Sequence, residues 1–339
     1  MPKSSISVII PVYNAEITLA RCLDSVFNQS RIPDQVIVIN DSSTDNSSKV
    51  ADSYKDRIEY IEQTNQGPGA SRNAGLKVAR GDYVAFLDAD DYWMPEFLSH
   101  CVQFLDWHEE AVAVTTGQSI KLWGHSDVVR PRLLNESNCP VETFVIENFF
   151  SFWAEYDHVV TGASLIRRRI IEEAGYQRTD FRVCEDLEYW GYLATYGSWG
   201  FIPEVQWVGD PTPAAASQGW MKKHEKRWQN LPDIEDWESR IKPRLKRKDI
   251  EGFEKVRKRV ALNLLHQNIL AGNLRKAKEI FLLLSREHSQ NCIIRLLDFG
   301  NMFGSLGWFS ACKLIQVRER LKAVGIYLSS MHQLNSKVK

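Results

Sequence analysis

Three carboxylates, Asp88, Asp90 and Asp91, stand within four residues directly after the apolar run Tyr83-Val84-Ala85-Phe86-Leu87. Carboxylates spaced this way can hold a divalent cation that neutralises the charge gathering on a departing nucleoside diphosphate. One of them takes the metal, and its neighbour two residues back can hydrogen-bond a ribose hydroxyl. A lone D-x-D is more often a solvated acidic turn, but a triplet at the mouth of a buried strand favours the metal. Asp41 also ends a strand-like run, where a carboxylate can accept from a pyrimidine N–H or from ribose hydroxyls. Taken alone, it reads equally as a turn closing the strand. Glu185-Asp186 offers the base that a sugar hydroxyl needs when it attacks an anomeric carbon, or else a helix start complementing its dipole. One base suffices for single displacement with inversion, whereas double displacement needs a nucleophilic carboxylate as well. Arg72 can steady a nucleotide or sit on a helix surface. Arg227 can contact a diphosphate and Trp228 can stack on a sugar, against the plainer reading of a basic amphipathic helix with one buried ring. His224 is a further metal-ligand option, although lone histidines seldom serve.

The elements that must position these residues follow from periodicity. Ile6 to Val12 and Val36 to Ile39 are near-continuous apolar runs, as expected of strands buried on both faces. Leu19, Leu23, Val26 and Phe27 recur at helical spacing between them. A third strand falls around Ile58 and Tyr60, a helix over Gly69 to Ala79, and a strand over Tyr83 to Leu87. Further strands are expected near 111–121, 159–166 and 199–208, with a helix from Glu185 to Tyr196. The fold class is α/β: a mostly parallel sheet with helices on both faces, whose ligands bind beyond the carboxyl ends of the strands. Residues 209–219 read as a loop. From Trp220 the pattern is helical, with a helical hairpin turning at Gly272-Asn273.

The 339 residues suit a large catalytic domain over 1–215, its nucleotide half at about 1–120 and its acceptor half at about 121–215. A basic linking segment follows over 216–250, and a helical C-terminal region over 251–339. Six cysteines show no C-x-x-C spacing, and Cys22, Cys101 and Cys184 fall in apolar patterns, which suits buried thiols in a reducing compartment. Without a signal peptide or an apolar span of about 18 residues, a cytoplasmic setting is expected. Net charge is −1, yet residues 1–209 carry −13 and residues 210–339 carry +12. Either the two surfaces attract each other, or the basic part faces an anionic partner, such as a phosphorylated acceptor or the inner face of an anionic membrane. Lys242 to Lys248 and Lys255 to Arg259 hold the basic clusters, and apolar residues between Ile293 and Ile315 offer either an interfacial contact or a core-facing helix pair.

As a package these segments resemble glycosyltransferase family 2, the inverting group with the GT-A fold. Ser7-Val8-Ile9-Ile10-Pro11-Val12-Tyr13-Asn14 looks like the family's opening strand, and the resemblance implies that Pro11 and Tyr13 lie beside the base. Val38 to Asp45 is similar to its nucleotide-binding loop, and Gly69 to Gly75 followed by Gly81 to Asp91 is similar to its run into the metal motif. The likeness implies Asp90 as the ligand of Mn²⁺ or Mg²⁺, Asp88 as the sugar- or ribose-side partner sharing that metal site, and Asp186 as the base. It is dense over residues 5–100 and sparser to about 230. His224-Glu225-Lys226-Arg227-Trp228 is similar to the Q-x-x-R-W box of processive synthases, but with His for Gln and without their membrane spans, so addition of a single sugar is expected. The expected activity is transfer from a UDP-sugar to a hydroxyl of a glycan or lipid-linked acceptor, in polysaccharide and cell-envelope biosynthesis, with no nucleic-acid partner. A sugar nucleotidyltransferase would share the sheet and carboxylates but would want Gly with Arg and Lys near the first strand, where Tyr13-Asn14-Ala15-Glu16 stands. A non-catalytic sugar- or partner-binding protein of the same fold would need no base.

Overall fold

Apolar runs without alternation become central strands. In β1 (Ile6–Val12), Ile6, Val8, Ile9 and Ile10 are fully buried, and every residue of β2 (Gln35–Asn40) is buried. The two pair in parallel with Ile9 opposite Ile37. Between them α1 (Leu19–Phe27) buries Leu19, Cys22, Leu23 and Val26, the three- and four-residue spacing of a helix lying on a sheet. After α2 (Ser47–Asp52), β3 (Glu59–Glu62) joins β2 in parallel, alternating half-buried and exposed as an outer strand should. α3 (Pro68–Leu76) returns the chain to β4 (Tyr83–Phe86), parallel to β1 on its other side. A β-carbon on Gly75 would sit 2.5 Å from Ile9 Cγ2, so only glycine lets α3 approach the sheet this closely.

Beyond β4 the sheet becomes mixed. β5 (Tyr92–Trp93), α4 (Phe97–Trp107), β6 (Ala111–Ile120), β7 (Val128–Arg130), β8 (Phe144–Ile146), α5 (Phe149–Tyr156), β9 (Ser164–Arg167), α6 (Arg168–Ala174), α7 (Glu185–Leu193) and β10 (Ser198–Gly209) complete it. The strand order is β3-β2-β1-β4-β9-β6-β10-β5, with β7 on β6 and β8 on β10. β9 runs antiparallel to both β4 and β6, so the expected parallel pattern holds over β3-β2-β1-β4 and again for β6 with β10. The strand expected from 159 starts only at Ser164, because residues Thr161–Ala163 form a 3₁₀ turn. The Gly162 carbonyl accepts from Trp93 Nε1 at 2.6 Å, and the Trp207 indole fills the space where a side chain at 162 would stand. The β6–β10 register slips between Ile202 and Val205, where Pro203 has no N–H to donate. α7 ends at Leu193, three residues short of the expected Tyr196.

The computed structural model describes residues 4–121, 126–131, 133, 142–210, 231–285 and 291–319. Its contacts divide the chain into two units. The first, Met1–Asp180 with Glu185–Ala214 and Arg240–Phe253, contains the whole sheet. The second comprises Phe181–Cys184, Ala215–Ser239 and Glu254–Lys339, and its elements among the described residues are helices. α8 (Ile234–Glu238) is followed by α9 (Ile250–Ala271), whose residues from Glu254 onward belong to the second unit, and by α10 (Leu274–Ser285) and α11 (Cys292–Met302); a last helix, α12, covers 304–319. The expected helical hairpin is α9 with α10, and Gly272 makes the turn at φ +82°. Phe281 packs on Trp308 at 5.0 Å between ring centroids, and Lys276 pairs with Asp233 at 2.9 Å. Among the described residues no helix is long and apolar enough to cross a membrane. Cys22, Cys101, Cys184 and Cys312 are buried thiols, while Cys292 is exposed. The segment 211–230 lies outside the described residues, and with it most of the loop expected over 209–219, the helical start at Trp220, and His224, Arg227 and Trp228.

Candidate active site

Parallel strands deliver their carboxyl ends to one edge, and the sequence-predicted residues of the sheet collect there. Pro11 and Tyr13 stand half-buried at the end of β1, Asp41 follows β2, and Asp88 to Asp91 follow β4. Asp41 donates its N–H to the Val12 carbonyl at 2.8 Å and is only 3% exposed. Its carboxylate accepts from Gln63 Nε2 at 2.7 Å, from Gln66 N–H at 2.8 Å and from Gly67 N–H at 2.8 Å. The side chain thus fastens the segment that opens α3. The polar tract after it is likewise committed to local structure: Thr44 N–H donates to Asn14 Oδ1 at 2.7 Å, and Asn14 N–H to Ser43 Oγ at 3.0 Å. These contacts lock the loops after β1 and β2 together.

Arg72, one turn into α3, is 3% exposed and links three elements. Nη2 donates to Asp88 Oδ1 at 2.8 Å, and Nη1 stands 3.9 Å from Glu185 Oε1 at the start of α7. Neither Nε nor Nη1 makes a hydrogen bond among the described residues. Burial alone would lower the Arg72 pKa, but Asp88, Glu185 and Asp186 outweigh it and hold the guanidinium above its ordinary value. Glu185 is buried; Asp186 is half-exposed, with Oδ1 accepting from Leu187 N–H at 2.8 Å and Oδ2 from Thr161 Oγ1 at 3.4 Å. Among the described residues, three of the four non-glycine residues with left-handed backbone, Asn14 (φ 51°), Ser42 (φ 59°) and Cys184 (φ 61°), directly flank these positions in the chain. Such strain persists where the surroundings over-determine a conformation, and it tends to gather at functional loops.

The turn after β4 gathers three carboxylates, Asp88, Asp90 and Asp91. Burial first, then repulsion from Asp90 and Asp88, pushes the Asp91 pKa well above the ordinary carboxylate value. Burial and the same carboxylates raise the Cys22 thiol, whose Sγ lies 3.7 Å from the Asp88 carbonyl. Arg21 supports the turn: Nη2 donates to the Asp90 carbonyl at 2.6 Å and Nη1 to Asp210 Oδ2 at 2.6 Å, while Asp210 N–H donates to Asp91 Oδ1 at 3.2 Å. Sequence reasoning missed Arg21, Gln63, Thr161 and Asp210. A lone basic residue beside the buried face of α1 was a usable signal for Arg21; the others carried none. A shallow cleft of about 250 Å³, lined in part by Phe27, Gln35, Arg57 and Glu59, opens at the starts of β2 and β3, the edge opposite these carboxylates.

A model of the family described as glycosyl transferase family 2 matches residues 7–175. The putative glycosyltransferase EpsH of Bacillus subtilis (strain 168) is 39% identical over 108 residues, 31% of this chain and 30% of that protein. The poly(ribitol-phosphate) beta-glucosyltransferase of Bacillus spizizenii is 42% identical over 106 residues, 29% of this chain and 17% of that one. The chain thus spans less than a third of either relative. Among solved structures, S. aureus TarS 1–349 in complex with UDP is similar with a TM-score of 0.51 and 18% identity, over 94% of this chain and 92% of that one. The mannosyltransferase PcManGT from Pyrobaculum calidifontis, in complex with GDP-Man and Mn²⁺, matches with a TM-score of 0.51 and 19% identity, over 93% and 87% of the two chains. At such identities the structures establish the GT-A type of fold. Matched by the family's model over residues 7–175 and built on that fold, the chain belongs to glycosyl transferase family 2.

Proposed function

We propose that this chain is an inverting glycosyltransferase that moves one sugar from a nucleotide-diphosphate donor, a UDP-sugar, to a hydroxyl of a glycan or lipid-linked acceptor. The observation that carries the reading is the Arg72 junction: a carboxylate of the β4 turn and the acidic start of α7 meet one buried guanidinium, although they lie about a hundred residues apart in sequence. A donor-side cluster and a base therefore share one edge of the sheet. Among the described residues no group of three or more His, Cys, Asp and Glu would by itself enclose a metal ion. The crowding of Asp88, Asp90 and Asp91, which adds to burial in raising the Asp91 pKa, nevertheless suits a cation that takes its remaining ligands from a diphosphate. Asp90 and Asp88 would hold Mn²⁺ or Mg²⁺, which when bound supplies charge neutralisation on the leaving diphosphate.

The remaining roles belong to the protein's own groups. Asp41 fastens the opening of α3 and so aims Arg72; Pro11 and Tyr13 flank the base. Arg72 keeps Glu185 paired, which leaves half-exposed Asp186 as the carboxylate placed to take the proton from the acceptor hydroxyl. Pairing of Glu185 with Arg72 suits a single displacement that uses one base. The poly(ribitol-phosphate) relative and the UDP complex of TarS support a UDP donor and a cell-envelope acceptor, and the proposed setting is cytoplasmic, peripheral at the inner face of an anionic membrane. Arg227 and Trp228 are proposed to contact the diphosphate and stack on a sugar.

The test combines a panel of UDP- and GDP-sugars, scored for transfer and for Mn²⁺-dependent thermal stabilisation, with the variant Asp186→Asn. Turnover should fall by roughly 10²–10⁴-fold while donor affinity is retained. Collapse of donor affinity with high residual turnover would make Asp186 a binding residue and move the base elsewhere.

A further inference from the structure

The helical pair at the end of the described chain is apolar on the outside. α11 and α12 bury Ile294, Leu297, Trp308, Ala311, Cys312 and Ile315 on one side. On the other, Phe299 is 62% exposed, Met302 80%, Phe303 62%, Leu306 78% and Phe309 53%. Exposure peaks at the residues flanking the turn, so these five side chains form an apex rather than a groove. The apex closes tightly for a local reason. Gly304 turns the chain at φ +70°, and the arms meet so closely that a β-carbon on Gly300 would lie 2.7 Å from the Gly307 carbonyl oxygen. Phe299 and Phe303 pack edge to face at 5.1 Å, so the rings support each other in solvent instead of turning inward. Soluble proteins rarely leave such a patch uncovered without a partner.

Charge identifies the partner. From Phe299 to Val317 there is no Asp or Glu. Arg295 is exposed one turn before Phe299, on the same face, and Lys313 is exposed one turn beyond Phe309. The hairpin's carboxylates are Asp298, exposed beside Phe299, and Glu319 at the end of α12, where it pairs with Arg318, and residues 254–319 as a whole carry eleven Lys and Arg against five Asp and Glu. An apolar apex with a cation one turn back on each arm is the pattern of an element whose rings enter the acyl boundary while its charges stay among head groups. A stable protein pair instead buries ~800 Å² per partner on matched faces, which one convex turn supplies poorly. The basic clusters singled out in the sequence are less available, because Arg244 donates to Thr195 Oγ1 at 2.9 Å, Lys248 to the Glu147 carbonyl at 3.0 Å, and Arg257 pairs with Glu238 at 2.5 Å.

We infer that the α11–α12 hairpin is a membrane-docking wedge that inserts its apolar apex into an anionic lipid surface. The inference deepens the peripheral setting proposed above, and its test is independent of catalysis. Full-length protein is co-sedimented with vesicles of phosphatidylcholine alone, or of phosphatidylcholine mixed with phosphatidylglycerol. Binding should favour the anionic vesicles by about tenfold or more and weaken as salt rises. Phe303→Ser with Leu306→Ser should lower it by about tenfold, and Arg295→Gln with Lys313→Gln should flatten the salt dependence. Circular dichroism should show unchanged melting, since all four sites are exposed, and sugar transfer to a water-soluble acceptor should be unaltered. A wild-type protein that stays in the supernatant with both vesicles overturns the inference, as does a Phe303/Leu306 variant that binds as well as the parent. If sedimentation equilibrium instead reveals a dimer that the apex variant dissociates, the face belongs to a second copy of this chain and the wedge is overturned. Loss of transfer with intact vesicle binding would count against the glycosyltransferase reading alone.

Discussion

Asp41 and Asp88 each follow a fully buried parallel strand, and each begins an acidic, turn-rich stretch. The structure uses them in opposite ways. The Asp41 carboxylate is saturated by three donors from the segment 63–67 and is nearly inaccessible, so its charge is spent on holding the loop that opens α3. The Asp88 side chain is 36% exposed and meets one guanidinium, while burial and the neighbouring carboxylates Asp90 and Asp88 hold the Asp91 pKa well above its ordinary value. An aspartate at a strand end is therefore not one signal. Where backbone donors converge on it, it is a lock. Where carboxylates crowd together at a half-open edge, a cation and a diphosphate can take up their charge.

The largest expected effect of breaking this contrast lies at the β4 turn. Asp90→Asn should abolish Mn²⁺-dependent binding of a nucleoside diphosphate and lower transfer by about 10³-fold or more, because several kcal/mol of leaving-group stabilisation are lost. Stability in a chelator should change by no more than about 0.5 kcal/mol, as the side chain is only half-buried in a turn at the strand end. Undiminished metal-dependent binding in isothermal titration would remove Asp90 from the metal site. At β2 the order of effects should reverse. Asp41→Asn sets an NH₂ group against backbone N–H donors and should cost about 2 kcal/mol in urea denaturation, with loss of donor affinity following from a displaced Arg72. Full stability combined with lost nucleotide affinity would make Asp41 a ligand contact and not a lock. The smallest effect should carry the opposite sign. Because the folded pKa of Asp91 is raised, its ionisation costs stability at pH values above that pKa, and the cost disappears as pH falls towards the unfolded value of about 3.9. Asp91→Asn, measured in a chelator, should therefore raise stability by about 1 kcal/mol at neutral pH, with the gain fading in acid. A loss at neutral pH would mean that the hydrogen bond from Asp210 N–H outweighs the repulsion, and the contrast between the two turns would narrow.

Much of the first half of the sheet was legible before any coordinates, because burial on both faces leaves a simple trace. The runs from Ile6 and Val36 had nowhere to lie but in a central sheet, and the helical spacing of Leu19, Leu23 and Val26 could bury only one face. That the carboxylates would gather at one edge followed from parallel strands alone. β9 was not legible in the same way. Its four residues read as a strand, but nothing local says that it runs backwards between β4 and β6. Gln63 and Asp210 likewise carried no periodic signal, since a polar residue in a loop is compatible with solvent until a buried partner claims it.

What the sequence determined by itself, then, is which segments are buried, which residues end them, and the family that this combination resembles. What tertiary structure decided is pairing. It brought Arg72 to Asp88 and Glu185, turned Asp41 inward as a lock, and left the rings of Phe299, Phe303 and Phe309 outside. The physical reason is that burial is set by local periodicity, which any stretch of a dozen residues displays. Which distant groups share a buried charge or an uncovered face depends on how the chain closes over tens to more than a hundred residues. That choice is settled by the joint packing of elements that no short stretch contains.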